Sequence, residues 1–151
     1  MKLGEALILR ADYQKRIEQL KNRLVNSAKI QEGEEPPEKP QVLLDEIDNI
    51  MKELTRLIQR INKTNCSVQF DNTRTLADVL VERDQIWEKR LILSTLSDTA
   101  SIRHDRFSRS EVRFLSTIDI AETQKQIDKL SKEFRELDTK IQGMSWTIDI
   151  I

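Results

Sequence analysis

Residues 101 to 114 read SIRHDRFSRSEVRF, and they concentrate the chemistry-bearing side chains of a chain otherwise made of leucine-spaced, charged segments. Arg103, Arg106, Arg109 and Arg113 recur at spacings of three, three and four, which gathers them on one face of a helix and scatters them in a hairpin. Planar guanidinium forks suit phosphate or carboxylate bidentately, so the four form a candidate anion site with Ser110 and Ser108 as auxiliary donors. A nucleic-acid backbone is one such anion, and Phe107 or Phe114 offers a ring for a base to stack on. The competing reading is architectural: Asp105 and Glu111 neutralise the arginines in a network within or between subunits.

A catalytic reading centres on His104 beside Asp105, because imidazole is the group suited to proton transfer near neutral pH. It lacks support from its neighbours. A metal site needs further ligands and the chain holds no second histidine. A nucleophile at Ser108 or Ser110 has no strand-turn-helix elbow of the GxSxG kind. Glu133 and Glu136 give half of a paired ExxE and ExxD magnesium motif, but no ExxD follows, and Glu32 and Glu35 sit in a proline-bounded loop. Neither a metal nor a cofactor is expected, and the chain reads as a binding or assembly protein more than as an enzyme.

These residues must be positioned by long helices. The chain has 151 residues, is 38% hydrophobic and 34% charged, and contains three Gly and three Pro, a balance that suits narrow apolar stripes under charged faces. Lys and Arg total 25 against 26 Asp and Glu, so no global field draws the protein to nucleic acid or an anionic membrane. Any such binding must be local. Cys66 alone makes no internal disulfide, its neighbours Asn65 and Ser67 supply nothing to activate a thiol, and a reducing compartment fits best. The opening apolar run is broken by Arg10 and Asp12, and no stretch approaches the roughly 20 apolar residues of a membrane span, so a cytoplasmic protein without membrane partners is expected.

Helical periodicity predicts one domain over 1–151 with helices at about 3–30, 41–62, 75–97 and 119–142. Leu43, Ile47, Ile50, Leu54, Leu57 and Ile61 alternate by four and three, a heptad seam that Leu44, Met51 and Ile58 widen. Gly33 and the three prolines end the first helix, Asp119 with Glu122 has capping-box spacing at the start of the fourth, and Gly143 is expected to stop that fourth helix. The fold class is mainly α, four long antiparallel helices with coiled-coil-like packing. A small β element is expected near 101–117, with SVQF (67–70) and the apolar tail (145–150) as strand partners, because an up-down-up-down order brings the second loop and both termini to one end. Helices this long with narrow seams seek partners, so a homo-oligomer is expected.

Three stretches, KLGEALILRADYQKRIEQL, RHDRFSRSEVRFLSTIDIAETQKQIDKL and WTIDI, resemble the septicolysin-like family of small bacterial proteins over nearly the whole chain. That resemblance implies no biochemical activity. It implies one shared role for Arg103, His104, Asp105, Arg106, Arg109, Ser110 and Glu111, and it does not say whether that role is structural or functional. A cytolysin is not implied by these residues, since Cys66 has no tryptophan-rich loop beside it.

Overall fold

A computed structural model describes residues 1–101 and 112–151, and the fold is mainly α. Four helices occur among the described residues: α1 (Leu3–Asn26), α2 (Pro40–Ser67), α3 (Leu76–Ala100) and α4 (Ile120–Ser145). The chain divides into two compact units, one formed by 1–76 together with 142–151, the other by 77–141. In sequence the second unit is an insertion into the first.

The first unit is built on the α1–α2 hairpin. α1 opens where the Glu5 carboxylate accepts a hydrogen bond from the Lys2 backbone N–H at 2.7 Å, satisfying a donor that helix geometry leaves orphaned. It closes at Ser27, whose N–H donates to the carbonyls of Arg23 and Leu24, before the glycine and prolines of the loop are reached. Gly33 takes φ 86°, a left-handed turn natural to glycine. Pro40 then starts α2 at a position where its missing N–H costs no helical bond.

The expected seam of α2 faces inward. Leu43, Ile47 and Ile50 pack with Leu20 of α1, and Tyr13, Ile17 and Leu24 close around them. Leu57, Ile61 and Thr64 continue the buried line, whereas Leu44 and Met51 stay exposed on the flank. Full burial of each such aliphatic side chain contributes about 2 kcal/mol, and this stripe is the main stabilisation of the unit. Arg16 of α1 pairs with Glu46 of α2 at 2.9 Å, and Arg23 pairs with Glu38 of the loop, which fixes the antiparallel register at the hairpin's turn.

The chain's end folds back onto this hairpin. The Leu3 N–H donates to the Ile148 carbonyl at 2.8 Å and the Ile150 N–H to the Met1 carbonyl at 3.0 Å. Lys2 and Asp149 form an isolated antiparallel bridge, and Gln69 forms another with Thr75. The expected strand pairing of 67–70 with 145–150 is therefore not made, and no strand or sheet occurs among the described residues. The tail does reach the α2 C-terminus and the N-terminal residues. Its backbone donors are taken instead by the nearer N-terminal residues and by the Thr64 hydroxyl, which accepts from the Ile151 N–H at 2.9 Å. Gly143, expected to stop α4, lies inside it, and the helix ends where Thr147 and Ile148 both donate to the Met144 carbonyl.

In the second unit α3 packs against α4. Asp119 caps α4, its carboxylate accepting from the Glu122 N–H at 3.1 Å, and the Thr123 hydroxyl donates to its carbonyl. Val79, Ile127 and Ile141 are buried in this unit, while the apolar residues of α3 spread around its circumference rather than along one stripe.

Candidate functional site

Most of the arginine segment lies outside the described residues: Arg103, His104, Asp105, Arg106, Arg109, Ser110 and Glu111, with Ser108 and Phe107, fall there. Its last part is described. Arg113 is exposed, between Val112 and Phe114, and Phe114 and Leu115 are 82% and 81% exposed. Residues 112–116 carry no regular secondary structure, so the described part of the expected β element near 101–117 is not a strand. Chain connectivity leads this run through the Ser116–Ile118 turn, where the Ser116 hydroxyl donates to the Ile118 carbonyl at 3.0 Å, into the Asp119 cap of α4.

Behind it, the α3–α4 seam carries arginines where a bundle usually carries aliphatic residues. Arg83 of α3 donates through Nη1 to Asp138 of α4 at 3.0 Å and through Nη2 to its own neighbour Asp84 at 2.9 Å. One turn and three residues on, Arg90 stacks over the Trp87 ring at 4.8 Å and donates through Nε to the Ser131 hydroxyl at 2.6 Å. Ser131 in turn donates to the Ile127 carbonyl, so its hydroxyl both gives and accepts a bond. Trp87 meets Phe134 with ring centroids 4.8 Å apart and tilted by 46°. These side chains spend their polar groups on each other. They tie two helices together and set the antiparallel register of the hairpin, and their geometry leaves no convergent set of donors aimed at an outside ligand.

The outward side of the same helix is different. From Leu91 to Ser97 the sequence LILSTLS has no charge, and Ile92 is 59% exposed with Leu91 and Leu96 each at 41%. Residues 91, 92, 95 and 96 form one continuous patch at helical spacing. In a chain with a third of its residues charged, this uncharged, partly exposed stretch stands out.

Three further constellations escaped the sequence reading. Asp71 organises the loop before α3: its Oδ1 accepts from the backbone N–H groups of Thr73 and Arg74, and its Oδ2 accepts from the Arg74 guanidinium at 2.6 Å. The bond from Arg74, with help from the Thr73 N–H, holds this carboxyl well below the usual range. An aspartate followed by Asn-Thr-Arg is the signal that marks this turn. At the tail, Lys2 donates to Asp149 at 2.8 Å and lowers its pKa likewise. Beside that pair the Trp146 ring lies flat against Gly4, a contact only a residue without a side chain admits. All three are architectural. Among the described residues no three His, Cys, Asp or Glu side chains gather in a metal-ligating group, and no helix is long and apolar enough to cross a membrane.

The comparisons match this geometry to proteins without an assigned role. The model of a family described as "Family of unknown function (DUF6847)" matches residues 10–150. A solved structure described as a functionally unknown conserved protein from Corynebacterium diphtheriae is 39% identical, with 100% of this chain and 99% of that one covered and a TM-score of 0.92. No curated protein matches the chain.

Proposed function

We propose that this chain, which belongs to the family of unknown function DUF6847, is a non-enzymatic cytoplasmic assembly protein that works as a homo-oligomer. The observation that carries the reading is α3: its apolar residues are spread among charged ones around its circumference, several of them stay exposed, and within its unit it has α4 on one side only. In this reading association covers the apolar residues that α4 leaves exposed. Antiparallel helices with coiled-coil-like seams provide the rods, and the arginine segment builds a polar contact or site at the end of the second hairpin. The resemblance to septicolysin-like proteins belongs to this reading as a kinship and adds no activity.

The arginines offer a direct test. Replacing Arg106 and Arg109 by Ala is expected to lower the mass measured by light scattering, or to broaden it, while the helical circular-dichroism signal persists. A wild-type protein of monomer mass would overturn the oligomeric reading.

A second reading is favoured by one observation: Arg113 stands exposed next to an almost fully exposed Phe114, which is the pairing of charge and stacking surface that single-stranded nucleic acid uses. It takes Arg103, Arg106, Arg109 and Arg113 as a polyanion grip. Anisotropy titrations with short labelled RNA and DNA are expected to show affinity that falls with salt as counterions are released. Salt-independent binding, or none, would contradict it.

A further inference from the structure

We infer that the oligomer closes by reciprocal exchange between two copies of this chain, the run Phe114–Leu115 of one protomer lying on the Leu91, Ile92 and Leu96 patch of its partner's α3. The inference rests on the homo-oligomeric reading above and names its surface. Two exposed apolar elements occur in one unit: a non-helical run with two side chains more than four-fifths exposed, and an uncharged helix face. The run enters α4 at the end where α3 leaves off, because Arg83, Trp87 and Arg90 meet Asp138, Phe134 and Ser131 in antiparallel order. The protomer's own run leaves its patch open. A second copy satisfies both, and because each chain carries one of each element, a two-fold arrangement uses every element once and closes.

Area and charge agree. The five side chains together expose an apolar surface on the order of the ~800 Å² that each partner contributes to a stable interface. Glu88 and Asp98 stand exposed at the border of the patch against the exposed cation Lys89, and the C-terminal end of α3 adds the negative end of its helix dipole, so the border is negative on balance. Arg113, carried immediately before Phe114, supplies the opposite charge to that border.

Light scattering of the full chain and of two variants tests this. Phe114→Asp with Leu115→Asp alters only a non-helical, exposed run, so the fold is expected to survive; Ile92→Asp alters the facing patch. Both are expected to reduce the mass to that of a monomer at concentrations where wild type is dimeric or larger, with helical content unchanged. In a Cys66→Ser background, a chain bearing Leu96→Cys mixed under oxidising conditions with a chain bearing Phe114→Cys is expected to yield a disulfide-linked dimer containing one of each. Variants that keep the wild-type mass, with no mixed dimer, would overturn the exchange while leaving the oligomeric reading intact. A wild-type chain of monomer mass would overturn both.

Discussion

Gly4 shows how one side chain's absence is used. A Cβ built on it would lie 2.9 Å from Cδ2 of Trp146, inside the closest approach that carbon atoms tolerate. Alanine in place of glycine ordinarily stabilises a helix interior by about 1 kcal/mol. In Gly4→Ala the ring must move off, and the gain is offset by lost contact. We expect no rise in Tm and a red-shifted Trp146 emission, read in a Trp87→Phe background; a higher Tm with unchanged emission would contradict the packing. Nearby, Lys2 depresses the pKa of Asp149, so the contribution of that pair is complete above the unfolded carboxylate value of about 4 and is lost as pH falls through the lowered folded value. The tail therefore stays clipped at pH 4 and releases below it. Trp146 emission followed from pH 5 to pH 2 checks this, and Asp149→Asn is expected to remove the transition.

Elements divide into those whose pattern in sequence is decisive and those whose partner is chosen in three dimensions. The α2 seam was legible because four-three alternation admits one buried face, and Leu43, Ile47, Ile50, Leu57 and Ile61 lie on it. The Asp119 cap was legible for the same local reason. The tail was legible as apolar and docked, but its partner was not: SVQF and the N-terminal residues compete for the same backbone groups, and their distances from the tail decide the outcome. Gly143 misled as a helix stop because a glycine ends a helix only when the chain turns left-handed there, and this one does not. The arginine segment left two alternatives, since its three-three-four spacing suits a helix face while its turn-forming and β-branched residues suit a hairpin; the described end, from Val112 to Ser116, is neither. The burial pattern predicts a contrast within the α1–α2 hairpin. Leu20→Ala, which empties the α1–α2 core, is expected to cost 2–5 kcal/mol in denaturant unfolding, whereas Leu44→Ala on the exposed flank costs less than about 1 kcal/mol. Equal losses would mean that the seam is misplaced. The cross-helix pair Arg83 and Asp138 is expected to show a coupling of about 1 kcal/mol in a double-mutant cycle, the range of partly exposed ion pairs.

At the scale of the whole molecule, Arg83, Arg90, Asp71 and Asp149 all answer to neighbours that the fold supplies, while the outer face of α3 and the run that leads into α4 leave apolar side chains exposed. On the reading proposed above, those exposed apolar residues serve association. The most direct measurement is sedimentation velocity of the wild-type protein over a hundredfold range of concentration. Our account predicts a discrete species at a multiple of 17.7 kDa. A single 17.7 kDa species across the whole range would contradict it.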